Sequence, residues 1–558
     1  MSQPASPYQD FLEIRGGTIG YRWSEGEGEW ILDEEEGENA VILVDGNGDL
    51  LFETEDADLW YTIIEHNDVA LLKEYLTDYG GRWRAETYYS DPFFVAASYG
   101  STDALRVLLE YCAASPVKIE IDDERGELLL HAACRGGHPD TVRFLLENEP
   151  VFRNIHCRIG VIHDRDRSGM TALLAAAGSS HGEKEGEYEL RENAARRNEL
   201  VCLLLDRGAN PSDTVNRPDR QQPLGKLICT VLSQAVSWAN YELVKLLIDT
   251  GAQVQTEQQY SYIQEWCNMG TGALNNVEKV TPLHISSYYS NLGGIQALLD
   301  YRGNDVSIVD MVSSPDQLGG LPLHRVAGGP GPLKGYYISC GDDLLPAPVA
   351  TIKLLLSEAP NTVNSRDIQG RTPLHHAINV YSRYGSKRLD TAKVLCENGA
   401  DVSLRDKRGQ TPLHVLAHRA GGAESIDMVL VDLLLAYGAR VDDLDTDGNT
   451  PLHFIAQRFD YIDAVQVLLR YGAKATVRNW NGDTPLHKAA DGRNGLSHGQ
   501  TVLDSERAQD KMIKLLQEAG GDADVMDQKN VRGKTPRQIC EETRNRWLER
   551  YQKGLPLR

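Results

Sequence analysis

The chain has 558 residues, 41% of them apolar, with 8 Trp and 24 Tyr, and a formal charge of −24. A single core rarely grows past ~250–300 residues, so this length implies several domains or a row of units, each packed on its neighbours. The charge repels phosphate backbones and no Lys/Arg-rich run offsets it, so direct nucleic-acid binding is not expected.

The start, MSQPASPYQD, has neither the basic nor the apolar region of a secretory signal. No apolar run approaches the ~18–20 residues that span a bilayer, so no membrane association is expected. Nine cysteines lie singly from Cys112 to Cys540 with no CxxC pair. Reduced, buried thiols and a cytoplasmic or nuclear location follow as expectations.

Residues 1–57 form an acidic segment with 15 Asp/Glu against two Arg. Ala40-Val41-Ile42-Leu43-Val44 and Asp49-Leu50-Leu51-Phe52 flank a Gly-rich turn and predict a β-hairpin. Residues 11–23 predict one or two further strands, and residues 25–38 read as a solvated acidic loop. Asp45, Asn47 and Asp49 match the first ligand positions of a calcium loop, but Leu50 and Asp56 stand where it needs Gly and Glu.

Residues 59–75 read as a capping helix pair. Asp91-Pro92-Phe93-Phe94 with Ala96-Ala97 opens a second unit, and Leu128-Leu129-Leu130-His131-Ala132-Ala133 a third. Thr171-Ala172-Leu173-Leu174 and Thr230-Val231-Leu232-Ser233 keep less of the pattern. The pattern sharpens downstream. Thr281-Pro282-Leu283-His284 returns at Thr372 to His375, Thr411 to His414, Thr450 to His453 and Thr484 to His487, with Gly320-Leu321-Pro322-Leu323-His324 a close variant. Most copies follow a polar turn with Gly (Gly370, Gly409, Gly448, Gly482) and precede two short apolar helices. Gly-Ala often closes the unit, as at Gly399-Ala400, Gly438-Ala439 and Gly472-Ala473. Gly533-Lys534-Thr535-Pro536 opens a last unit whose second helix would carry Arg546, Arg550 and Lys553.

Each position has a physical reason. Thr caps an orphan backbone N–H, and Pro at the first helical position has no N–H to leave unpaired. Gly takes the left-handed conformation that ends the second helix. Ile462, Val465, Leu468 and Leu469 share one helix face. One such pair cannot bury both its faces, and the next pair covers the remainder.

Asp-x-x-Gly-x-Thr-Pro-Leu-His, two helices and Gly-Ala together resemble the ankyrin repeat, whose unit is ~33 residues. The resemblance implies an all-α repeat solenoid, helix-turn-helix units joined by β-fingers, with about twelve units over residues 58–550 and a tail at 551–558. It also implies that the recurrent His ties neighbouring repeats by hydrogen bonds. The long, degenerate, insertion-rich array is similar to fungal ankyrin proteins.

Surplus residues at 179–197, 253–277, 328–348, 381–387 and 491–507 read as insertions, mostly loops rich in Gly, Ser, Pro and charge. Residues 253–277 would lengthen one finger and carry Trp266. Residues 328–348 carry Tyr336 and Tyr337 and could fold back onto the concave groove.

No clustered chemistry stands out. His284, His324, His375, His414, His453 and His487 each belong to a separate repeat, ~10 Å apart if the helices stack, too far to share a metal. His414 and His418 share a helix face but lack the Glu of a HExxH motif and a third ligand. GxSxG, Walker and GxGxxG motifs are missing. The reading is therefore no catalytic residue, no cofactor and no metal.

What remains is a scaffold or adaptor, monomeric by itself, that binds one or more proteins through its concave face and finger tips. The partner-binding candidates are Ile368, Gln369, Lys407, Arg408, Thr446, Trp480 and Asn481 at the tips, with Tyr336, Tyr337 and Trp266 in insertions. A transcriptional co-regulator acting through a partner factor, possible for a fungal biosynthetic cluster, is the alternative. An enzyme or enzyme subunit with its site in the N-terminal segment or an insertion is the further one.

Overall fold

The computed structural model describes residues 15–16, 20–24, 29–33, 40–44, 50–55, 61, 63–79, 91–114, 128–151, 160–166, 168–178, 187–219, 222–260, 277–301, 307–329, 347–379, 387–419, 428–492, 502–521 and 524–553. The chain divides into two compact units, Met1–Ala235 with Leu246–Gln253, and Val236–Lys245 with Val254–Arg558.

The first unit begins with strands β1 (Arg15–Gly16), β2 (Gly20–Ser24), β3 (Glu29–Asp33), β4 (Ala40–Val44) and β5 (Leu50–Glu55). β1, β4 and β5 form one antiparallel sheet in that order, with Leu43 opposite Phe52. β2 pairs with β3, with Trp23 opposite Trp30. The expected loop at 25–38 thus contains a strand. The short apolar run Trp30-Ile31-Leu32 outweighs the acidic residues on either side of it.

Helices follow: α1 (Val69–Tyr79), α2 (Pro92–Tyr99), α3 (Thr102–Ala114), α4 (Leu129–Gly136), α5 (Pro139–Glu147), α6 (Ala172–Ala177) and α7 (Glu187–Asp206). α2 shows why they form. Asp91 accepts the N–H of Phe93 at 3.0 Å, Pro92 opens the first turn, and Gly100 at φ 76° closes the last. β6 (Thr214–Asp219) then pairs antiparallel with β7 (Gln222–Thr230), which leads into α8 (Val231–Ala235). This long finger has no counterpart among the expected elements, because Pro218 and Pro223 interrupt its strand pattern.

α2, α4, α6 and α8 pack in succession as one layer, and α1, α3, α5 and α7 as the other. Between them lie Phe93, Leu105, Leu108, Leu130, Leu145 and Leu173, all essentially without exposure. Residues 187–197, the second part of the expected loop at 179–197, are the start of α7. A helix there places Arg197 under the ends of two first-layer helices. Its guanidinium donates to the carbonyls of Ala176, Gly178 and Arg135.

α9 (Tyr241–Asp249) is the helix through which the partition between units runs. In the second unit β8 (Gln258–Tyr260) pairs antiparallel with β9 (Val277–Val280); of the finger expected at 253–277, residues 261–276 lie outside the described residues. The helices are α10 (Pro282–Tyr288), α11 (Leu292–Leu299), α12 (Ile308–Val312), α13 (Pro322–Gly328), α14 (Ala347–Glu358), α15 (Pro373–Asn379), α16 (Lys387–Glu397), α17 (Pro412–Arg419) and α18 (Met428–Ala436). They continue with α19 (Pro451–Ile455), α20 (Ile462–Arg470), α21 (Pro485–Asp491), α22 (Val502–Gly520) and α23 (Pro536–Gln552). α22 takes residues 502–507 out of the expected loop, and α23 runs two residues into the expected tail.

First helices α10, α13, α15, α17, α19, α21 and α23 stack in chain order, as do second helices α11, α14, α16 and α18. The repeats are thus two-layered, with polar side chains of the second layer holding first-layer carbonyls. Asn291 donates to Val236 and Ala239, and Gln509 to Ala489 and Ala490. Both do for this unit what Arg197 does for the other.

Candidate interaction surface

In the second unit each repeat is fixed from its tip inward. The tip begins with an Asp or Asn whose side-chain oxygen accepts two backbone N–H groups across the turn. Asp367 takes those of Gln369 and Arg371, Asp406 those of Arg408 and Gln410, and Asp445 those of Asp447 and Asn449. Asn479 and Asn530 do the same. Gly370, Gly409, Gly448 and Gly482 then turn the chain at φ 70–77°. A Cβ at Gly409 would stand 2.8 Å from the Thr446 nitrogen, so the next finger's close approach excludes a side chain there as well.

That approach makes a hydrogen-bonded row. Gln317 N–H donates to Glu278, Ile368 to Leu318, Lys407 to Gln369, Thr446 to Arg408, Trp480 to Asp447 and Val531 to Asn481, all at 2.8–3.0 Å. Arginines just before the tips reinforce it. Arg366 donates to the Arg405 carbonyl, Arg405 to that of Leu444, and Arg478 to that of Lys529.

Behind the tips the recurrent His of five repeats joins its repeat to the next. Its Nε2 faces a carbonyl of the next repeat and so carries the proton. The bonds are His284 to Gly320, His324 to Arg371, His375 to Gln410, His414 to Asn449 and His453 to Asp483, each 3.1 Å. Nδ1 accepts from the residue that precedes the helix. The Thr hydroxyls of 281, 372, 411 and 450 stand at 2.8 Å, and the Thr backbone N–H groups also donate. The hydroxyl of these threonines therefore serves the imidazole, a role beyond the simple cap expected. Burial holds these rings neutral, pushing His284, His375 and His453 down to about 4 and His324 to about 3. These histidines are structural, and among the described residues no group of three or more His, Cys, Asp or Glu is placed to hold a metal.

Two adjacent repeats also bury charge. Arg325 and Asp316, 1% and 4% exposed, form an ion pair. One repeat on, His376 Nε2 lies 2.8 Å from Asp367, and its ring meets that of His324 edge to face. The Asp367 carboxyl is lowered to about 2: the His376 hydrogen bond and charge outweigh the opposing burial, which is the largest single influence.

The tip candidates all surface on one row. Ile368, Gln369, Lys407, Arg408, Thr446, Trp480 and Asn481 are exposed. Lys407 and Arg408 make no ion pair among the described residues. Thr446 has its hydroxyl on the Arg408 carbonyl at 2.9 Å. Trp480 donates its indole N–H to the Thr446 carbonyl at 2.9 Å, yet 65% of its surface stays in solvent. Val531 at the next tip is 77% exposed. Trp266, Tyr336 and Tyr337 lie outside the described residues.

Sequence reasoning named the concave groove as a binding face but none of the following cavity residues as partner-binding. A cavity of about 150 Å³ is lined by Ala417, His418, Asn449, His453, Phe454, Gln457, Arg458 and Lys488. These residues come from α17, α19 and α21 and the segments flanking them. The signal was the position one, four or five residues after each recurrent His, where residue type changes from repeat to repeat while the Leu before the His stays.

Among the described residues no helix is long and apolar enough to cross a membrane. Buried thiols are held protonated, Cys112 and Cys396 being raised to about 11 chiefly by desolvation.

Comparison with known proteins adds the family. The family model "Ankyrin repeats (3 copies)" matches residues 59–153, 93–185, 347–430, 383–479 and 422–498, together half of the chain. Inversin of Homo sapiens is 26% identical over 208 residues, 32% of this chain and 17% of that protein. Inversin of Mus musculus is 26% identical over 268 residues, 45% of this chain and 20% of that protein. The chain therefore spans about a fifth or less of the length of the curated relatives it matches. Repeated Thr-Pro-Leu-His helix starts, His-tied neighbours, hydrogen-bonded fingers and these matches agree: the chain belongs to the ankyrin-repeat family.

Proposed function

We propose that the chain is a scaffold or adaptor that binds a partner protein through the finger tips and first helices of its second unit, without catalysis of its own. The observation that carries this is the row from Ile368 to Val531, where a hydrogen-bonded backbone presents a different exposed side chain at each tip. Such a row costs little ordering on binding, because its backbone is already fixed. Trp480 and Arg408 have the residue types that dominate interface energies.

The test is affinity capture with the full-length chain against the double variant Trp480→Ala/Arg408→Ala, with a Lys393→Ala control on α16. Capture of a defined partner, lost in the double variant and kept in the control, supports the reading. A partner held equally by all three chains refutes tip binding.

A further inference from the structure

The groove cavity at α17, α19 and α21 has an electrostatic character opposite to that of the chain. The whole protein carries −24, yet the cavity is lined by the cations Arg458 and Lys488 and by no carboxylate. Lys488 is held from one side by Asp483 at 3.1 Å, and Arg458 stacks on the Tyr461 ring at 4.8 Å. Both cations are therefore positioned rather than swinging free. One wall is aromatic, with His418 and Phe454 edge to face at 5.0 Å. His453 at the floor is kept neutral and bonded at both ring nitrogens, so it offers neither a proton nor a charge.

Backbone donors that could cradle a phosphate are already engaged. The N–H groups of Thr450 and Thr484 go to His453 and His487. What is left is long-chain cationic side chains beside an aromatic wall, a fit for one carboxylate on an aliphatic stem. The tips of the same repeats add the exposed Lys407, Arg408 and Trp480.

We propose that this cavity is an anchor for the acidic side chain of an extended partner segment in which Glu or Asp adjoins an aromatic or aliphatic residue. The carboxylate sits between Arg458 and Lys488, and its apolar neighbour lies on Phe454. This deepens the partner-binding reading and rests on it, because the occupant is a protein segment.

The test is titration calorimetry on the full-length chain with the peptide acetyl-Glu-Glu-Phe-Glu-Glu-amide, its all-Gln counterpart, and inorganic phosphate as separate probes. The Glu peptide binds, and Lys488→Gln and His418→Glu each weaken it about tenfold or more. Lys393→Gln on α16 leaves it unchanged. His418 is exposed, so its substitution does not depend on refolding a core; equal thermal melts verify this. An all-Gln peptide that binds as well as the Glu peptide overturns the proposal, as does an affinity indifferent to both pocket variants. Phosphate binding without peptide binding overturns it too and makes the cavity a small-anion site. Failure here leaves the tip test with Trp480→Ala/Arg408→Ala standing on its own result, so the two readings fail separately.

Discussion

Trp480 hydrogen-bonds the backbone carbonyl of Thr446 through its indole N–H, 2.9 Å away, across the gap between two fingers. An aromatic that would otherwise swing in solvent is thereby fixed in place while keeping most of its surface exposed. Trp480→Ala removes one solvent-edge hydrogen bond and little burial, so it should cost only about 0.5–1.5 kcal/mol of stability. Urea unfolding measures this. A loss of several kcal/mol would mean that the ring is a core element rather than a presented one.

Gly448 tests the same contact from beneath. Its φ is +77°, and a Cβ there would meet the Trp480 ring at 2.9 Å, whereas Gly438, at φ +91°, has nothing within 4 Å. Both Ala variants carry the left-handed strain of roughly 1–2 kcal/mol. Gly448→Ala adds an overlap of about 1 kcal/mol or more, and should displace Trp480. Equal denaturation midpoints for the two variants would contradict the contact.

The neutral histidines make the array acid-sensitive with a definite sign. Their folded pKa values lie below the ordinary 6.5, near 4 for His284, His375 and His453. The unfolded chain therefore binds protons first. Stability is fully present above about pH 6.5 and falls as pH drops from there toward 4, by up to about 1.4 kcal/mol per pH unit for each such His. Urea midpoints at pH 7.5, 6 and 5 should fall steadily. A midpoint flat down to pH 4 would show that these rings are not buried neutral.

The Arg325–Asp316 pair predicts non-additivity. Arg325→Leu alone leaves a buried carboxylate uncompensated, at a cost of about 3–5 kcal/mol. Adding Asp316→Asn removes the charge while keeping an acceptor for the Leu318 and Gly320 amides, which Asp316 now serves. The double variant should recover most of the loss. Thermal melts of the single and double variants decide it, and simple additivity would contradict the pairing.

Why some of this was legible in the sequence is a matter of range. Thr411-Pro412-Leu413-His414 encodes its own helix start and its link to the next repeat within four residues, so repetition alone exposes it. Gly409 states its left-handed turn in the same way. Arg197, Asn291 and Gln509 perform one task, holding the carbonyls of the preceding layer. They differ in residue type and reach across tens of residues, so no local pattern marks them. Within 25–38, Glu29–Asp33 lies in an acidic run but pairs with Gly20–Ser24 as a strand, because Trp30-Ile31-Leu32 outweighs the acidic residues around it. Of the groove residues, Phe454 and Lys488 share one register position, but different residue types occupy it; only stacking brings them into one cavity.

The most direct measurement is site-specific photo-crosslinking in the full-length chain, with a photoreactive residue at 368, 408 or 481 in separate samples and at 393 on α16 as the outward position. The account predicts that the three tip positions capture the same protein and that 393 does not. Capture at 393 with silence at all three tips would contradict it.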